Sequence, residues 1–206
     1  MDRITGLYKF VTIPEFYSIF QNILGKRGSQ IRVREDFFPD IQGKKVLEVG
    51  CGPGFWVETI ADCSQYLGID LNEKHIDRAQ KRFTGDKFVF KCGDVSEEFD
   101  SEVEKYDYIF GFGILHHLDD EQCDRLLKKC SGLLAEDGKF ITIDPVYHSG
   151  QHFIAKWLAD RDSGRYVRDE ANYRNLAASV FSGVISEIRV DQLRVPYSHC
   201  FMTLTQ

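Results

Sequence analysis

The sequence predicts an α/β chain built on a doubly wound, mostly parallel sheet. Three observations lead there. From residue 44 onward, short buried runs alternate with helical patterns. The first of those runs ends in a glycine-rich turn, "VLEVGCGPGFW" (46–56). The last two runs, 184–195 and 198–205, are joined only at Pro196-Tyr197, a link short enough to make them antiparallel.

Residues 7–25 are aromatic-rich and broken by Pro14. Phe16, Ile19, Phe20, Ile23 and Leu24 then fall at helical spacing before Gly25. "KKVLEVG" is a buried strand, and 54–62 is expected to be a helix. "YLGID" (66–70) is the second strand, and Asn72 caps a helix with Ile76, Ala79 and Phe83 on one face. "KFVFKCGD" (87–94) and "YDYIFGFG" (106–113) are the third and fourth strands. Asp119 followed by Gln122 has the form of a capping box ahead of a stripe of Cys123, Leu126, Leu127 and Cys130. Gly138 precedes the fifth strand, 139–144. The alternation then fails: 146–168 carries aromatics and mixed charges, and 169–181 is helical.

With 206 residues, 43% hydrophobic and 28% charged, the chain suits one sizeable α/β domain. A net charge of −6 argues against a broad basic face, so no nucleic-acid partner is expected. No apolar run is long enough for a membrane span, and the N-terminus lacks the pattern of a secretory signal; a cytoplasmic location is expected. The six cysteines contain no C-x-x-C pair, and Cys123 and Cys130 fit core packing.

The chemistry starts at the glycine turn. In an open parallel sheet ligands bind outside the carboxyl ends of the strands, where strand order reverses. Gly50, Gly52 and Gly54 leave main chain bare at such a place. The dinucleotide fingerprint is G-x-G-x-x-G; here the spacing is G-x-G-x-G, with Phe55 where the third dinucleotide glycine would fall. Asp70 ends the second strand and suits a ribose diol, which both ligand classes present. Asp94 and Val95, at the end of the third strand, suit an adenine and break the tie.

In their order, "VLEVGCGPG", "GIDLN", "GDV", "YDYIFGFGILHHL" and "LLAEDGKFITID" resemble the class I S-adenosylmethionine-dependent methyltransferases over about residues 44–145. The resemblance implies a Rossmann-like, seven-stranded sheet with its last strand antiparallel, and S-adenosyl-L-methionine as cofactor. By position it implies that Glu48 and the backbone of Gly50 and Gly52 lie near the methionine part. Asp70 holds the ribose, Leu71 packs on the adenine, Asp94 receives the adenine amino group and Val95 flanks the ring. The backbone from Phe110 through Gly111 to Phe112 faces the ammonium. The domain is expected over 44–206, with 1–43 a helical lid segment and 145–175 an insertion serving as acceptor lid.

"GFGILHHL" replaces the Asn/Asp-Pro-Pro-aromatic and Pro-Cys motifs of the amine and cytosine-C5 subtypes, and is similar to the small-molecule methyltransferases. The expected function is methyl transfer to an oxygen, nitrogen or carbon of a small acceptor, anionic or aromatic. His116, His117 and Tyr147 are the candidates for a base or for orienting that acceptor. Arg161, Arg165 and Arg168 are candidates for recognising a carboxylate or phosphate on it. His148 and His152, four apart, lack a second pair, and no metal is expected. The aromatic N-terminus is either part of the lid, packing on the sheet edge, or a homodimer contact. Rival classes are an NAD(P)-dependent oxidoreductase and a non-catalytic cofactor-binding protein.

Overall fold

The structure is a computed structural model and describes residues 27–98, 104–190, 192 and 196–206. Among these residues the strands are β1 Lys45–Val49, β2 Gln65–Asp70, β3 Phe88–Cys92, β4 Tyr106–Phe112, β5 Leu134–Tyr147, β6 Arg168–Asp169, β7 Gly183–Arg189 and β8 His199–Thr205. The helices are α1 Arg27–Phe37, α2 Glu73–Arg82, α3 Val95–Glu98, α4 Asp120–Leu133, α5 Phe153–Ala159 and α6 Glu170–Ala178, with a 3-10 turn at Leu115–His117.

The sheet runs β3-β2-β1-β4-β5-β8-β7, and the two-residue β6 pairs with β5 off this path. β1 to β5 are parallel, whereas β8 is antiparallel to both β5 and β7. This is the expected Rossmann-like arrangement. The chain steps outward from β1 to β3, then returns to place β4 on the other side of β1, so the order reverses between β1 and β4.

Alternation along each strand feeds two cores. Leu47, Leu67 and Ile109 face the stripe of α4, where Cys123, Leu126, Leu127 and Cys130 are all buried, and Tyr173 of α6. Val46, Tyr66, Tyr108 and Phe110 face Val33 of α1, Phe38, and Ile76 and Ala79 of α2. With both faces covered, β1 is buried on both sides from Val46 to Val49 rather than alternating with solvent. The capping box of α4 is complete, Asp119 accepting from the Gln122 N–H and the Gln122 side chain accepting from the Asp119 N–H. Asn72 caps α2 by accepting from the Lys74 N–H.

Three expectations need correction. Residues 54–62 form successive turns rather than a regular helix, with i→i+3 bonds such as Thr59 N–H to Trp56 O (2.9 Å) and Cys63 N–H to Ile60 O (3.1 Å). Gly54, the aromatics and β-branched Val57, Thr59 and Ile60 are poor helix formers. Trp56, Val57, Ile60 and Cys63 still reach the core. The fifth strand is longer than expected, with a register shift against β4 between Tyr106 and Tyr108. The strand expected over 184–195 ends at Arg189.

The aromatic segment 7–25 lies outside the described residues. Just beyond it, Phe37 stacks on Phe201 at 5.2 Å and Phe38 is fully buried against Tyr108 and Phe110. None of the six cysteines is in a disulfide. Among the described residues no helix is long and apolar enough to cross a membrane.

Candidate active site

The glycine turn sits where the strand order reverses. Gly50, Gly52 and Gly54 have φ of +71°, +54° and +80°, values that L side chains rarely adopt. A Cβ at Gly50 would also collide with Cδ1 of Ile114, whose side chain lies over the turn. Asp70 fastens the turn from the next strand. Its Oδ2 accepts from the Gly52 N–H at 2.8 Å, and its Oδ1 accepts from the Asn72 N–H at 2.8 Å, with His75 Nδ1 at 3.3 Å. One carboxylate thus ties the glycine turn to the start of α2.

The other residues predicted for this side lie at or near the carboxyl ends of β1 to β4. Asp94 follows β3, and its Oδ1 accepts from the backbone N–H (2.8 Å) and hydroxyl (2.6 Å) of Ser96, starting α3. Val95 is buried and Leu71 is exposed. Phe110 is a core side chain, Gly111 leaves room beside the Val49 carbonyl, and Phe112 packs edge-on against Trp56 at 4.7 Å. Glu48 points into the aromatic face, where its Oε2 accepts from the Tyr66 hydroxyl at 2.5 Å. Burial raises its pKa well above the carboxylate range; the Tyr66 bond opposes this and nearby Asp70 reinforces it. Glu48 therefore carries less negative charge than an exposed carboxylate would.

A second cluster joins the loop after β4 to the insertion. His116 is 2% exposed, with Nδ1 2.8 Å from Asp144 Oδ1 and Nε2 3.0 Å from Asp162 Oδ1. Burial alone would lower its pKa, but hydrogen bonds to the two carboxylates raise it to about 9. With both nitrogens facing carboxylates, His116 in this arrangement has no lone pair to offer as a base. The His117 ring lies tilted against it with centroids 4.1 Å apart, and burial followed by the His116 charge lowers its pKa to about 3. Asp162 also accepts from the Gly164 N–H (2.9 Å) and the Tyr197 hydroxyl (2.7 Å). Gly164 is glycine for lack of space: a Cβ there would overlap the His116 ring.

Beside this cluster opens a cavity of about 370 Å³, lined by Tyr147, Ala159, Asp160, Asp162, Gly164, Arg165 and Val167. The Tyr147 hydroxyl donates to Asp160 at 2.9 Å, and its pKa is pushed up to about 12, by burial first and by Asp160 second. The three candidate arginines separate. Arg165 lines the cavity, Arg161 lies over the Trp157 ring, and Arg168 is committed to Asp120 and to the carbonyls of Leu115, Leu118 and Tyr166. His148 and His152 are not brought together: His148 Nε2 meets Ser198 Oγ, and His152 caps α5.

Sequence reasoning missed Ile114, Asp144, Asp162, Tyr197 and His199. Asp144 sits in an apolar strand and Asp162 in a charge-mixed stretch, and nothing local marks Asp162 as the partner of a histidine 46 positions earlier. The dense aspartates of 144–169 were the available signal.

Residues 46–138 match the sequence model of a family described as "Methyltransferase domain". Ubiquinone biosynthesis O-methyltransferase of Coxiella burnetii (strain Dugway 5J108-111) is 32% identical over 109 residues, covering 50% of this chain and 45% of the relative. tRNA U34 carboxymethyltransferase of Ectopseudomonas mendocina is 32% identical over 82 residues, 38% of this chain and 26% of the relative. The chain thus spans less than half the length of these two curated relatives. Magnesium protoporphyrin IX methyltransferase from Synechocystis PCC 6803, solved with bound SAH, superposes with a TM-score of 0.64 at 16% identity, covering 100% of this chain and 90% of that one. A chain from the complex of the Haloferax volcanii Trm112 methyltransferase activator with a methyltransferase reaches 0.71 at 14% identity, covering 95% and 96%. At such identities the solved structures speak for the fold, and the family match speaks for the motif-bearing half. Residues 46–138 thus match a methyltransferase domain, and the fold around them is that of solved methyltransferases.

Proposed function

We propose that this protein transfers the methyl group of S-adenosyl-L-methionine to a small-molecule acceptor bound between the loop after β4 and the 145–175 insertion. The observation that carries the reading is Asp70, which spans the glycine turn and the α2 N-terminus at the reversal of strand order. The residues present fit the cofactor. Three left-handed glycines bare the main chain, a carboxylate stands ready for a diol, and the acidic edge at Asp70 and Asp94 suits a cationic ligand better than a pyrophosphate. That fit, with Phe55 in place of a third dinucleotide glycine, disfavours the nicotinamide reading.

When bound, S-adenosylmethionine supplies a methyl group already activated by its positive sulfur. What remains for the chain is to hold the acceptor in line and keep water out, and orientation of this kind is worth up to about 7–11 kcal/mol. Gly50, Gly52, Asp70, Leu71, Asp94 and Val95 hold the cofactor in this reading, with Glu48 and the Phe110–Phe112 backbone at its amino-acid end. Tyr147 and Arg165 orient the acceptor from the cavity wall, which has the volume of a small-ligand site. His116 acts as a positioning residue that clamps the β4 loop to the insertion. His117 keeps a lone pair, but with so low a pKa it is a poor general base.

Labelled donor offered to a small-molecule extract and, separately, to bulk tRNA tests this. Label in a small metabolite is expected. Label in tRNA would overturn the acceptor class, and label in neither would overturn methyl transfer.

A further inference from the structure

We propose that His116, His117 and Asp162 form a binding site for a divalent transition cation of the zinc class. The site stands on its own geometry, whether or not methyl transfer is the activity. One imidazole nitrogen from each histidine and one carboxylate oxygen lie within 4.8 Å of one another. Nitrogen and oxygen donors in this mixture suit zinc and its neighbours, whereas magnesium and calcium prefer oxygen alone.

The surroundings are those of a supported ligand. Asp144 can only accept, so the proton on His116 Nδ1 points at it, at 2.8 Å, and this leaves Nε2 as the atom that can coordinate. A carboxylate behind a ligating histidine is the usual outer support of a metal site. His116 Nε2 lies 3.0 Å from Asp162 Oδ1, close to the roughly 3.3 Å that separates two ligands of a tetrahedral zinc with bonds near 2.0 Å. Asp162 is itself held by Tyr197 and by the Gly164 N–H.

A second observation points the same way. Buried polar atoms without partners gather here: Asp144 Oδ2 and both ring nitrogens of His199. Asp144 and His199 are each 1% exposed, and the His199 ring meets Tyr197 edge-on at 4.8 Å. The Asp144 and Asp162 carboxylates converge on the two nitrogens of one imidazole, an acidic setting that suits a divalent cation held by Nε2 and Asp162. Three protein ligands leave a fourth position for water or an acceptor oxygen, and Asp162 is also part of the cavity wall.

The full chain, stripped with chelator and titrated calorimetrically with zinc chloride alone, should bind one equivalent and gain thermal stability, while magnesium chloride gives neither. His117→Ala and Asp162→Asn should each weaken zinc binding by at least about 10-fold. Asp144→Asn should cost about 10- to 100-fold with the stoichiometry kept. Comparing chelated variants with chelated wild type separates loss of the cation from loss of the fold. Zinc-edge X-ray absorption of the wild type should show nitrogen and oxygen neighbours including two imidazoles. No heat with zinc, unchanged binding by His117→Ala, or sulfur in the coordination shell would each overturn the proposal.

Discussion

Between Val46 and Val95 the candidate site is made of main chain. Three glycines turn the backbone into the left-handed region, and one carboxylate fastens it through N–H groups. Between Tyr147 and Val167 it is made of side chains: Asp162, Tyr147, Asp160 and Arg165 line a cavity, and Asp162 bonds to His116 and Tyr197, far away in sequence. The first arrangement tolerates little variation, because only glycine meets its backbone and steric demands. The second tolerates a great deal, because one side-chain pair can replace another. A cofactor common to a family belongs on the first surface and a particular acceptor on the second.

The largest effect should come from breaking the first arrangement at its fastening. Asp70→Asn leaves shape nearly unchanged but removes the charge from two hydrogen bonds and from the proposed diol contact. Binding of S-adenosylhomocysteine should weaken by about 10- to 100-fold, since hydrogen bonds to charged groups are worth about 1.5–3 kcal/mol. Calorimetric titration checks it.

A pair of glycine substitutions sharpens the contrast through stability. Gly50 and Gly150 both have positive φ, +71° and +74°, but a Cβ at Gly150 meets nothing within 4 Å, whereas one at Gly50 collides with Ile114. Gly150→Ala should cost about 1 kcal/mol and Gly50→Ala about 2–3 kcal/mol. For a domain of this size each kcal/mol is about 2–4 °C in Tm. Equal losses would mean that Ile114 is free to move aside.

The side-chain cluster should reveal itself through pH in metal-free protein. The folded pKa of His116, about 9, lies above its ordinary 6.5. Its contribution is fully present below about pH 6.5 and is lost as pH rises through 9. His117 and His199 go the other way, with folded values near 3 and 4. They draw stability down as pH falls from 6.5 toward those values, because the unfolded chain takes up protons that the folded one refuses. Thermal melts across pH should fall on both limbs, and Asp162→Asn should flatten the alkaline one.

The smallest effect separates two arginines. Arg168→Ala should lower Tm by a few degrees through its lost carbonyl and Asp120 contacts, with the acceptor KM unchanged. Arg165→Ala should raise the acceptor KM several-fold. Steady-state kinetics beside thermal melts distinguish them.

The same contrast accounts for what could be read from the chain. The sheet was legible because buried strands are apolar on both faces and their ends carry turn and cap residues, as at Asn72 and Asp119. The cofactor motifs were legible because glycine spacing and a strand-end aspartate are local signals. The helix expected at 54–62 was misread because Gly54 and the β-branched residues after it disfavour a regular helix. The histidine cluster was half legible. "HHL" drew attention to His116 and His117, but a pairing with Asp144 and Asp162 exists only once β5 and the insertion are folded together. Without those partners His116 passed for a base; with them it holds a proton at neutral pH.

The central claim is that the bare turn and Asp70 bind a sulfonium nucleoside. Isothermal titration of the purified chain, freed of bound small molecules, with S-adenosylmethionine and S-adenosylhomocysteine tests it most directly. Saturable heat for one ligand per chain, absent with NAD⁺ and weakened by Asp70→Asn, is the expected result. Silence with both nucleosides, or full-strength binding by the Asp70 variant, would contradict it.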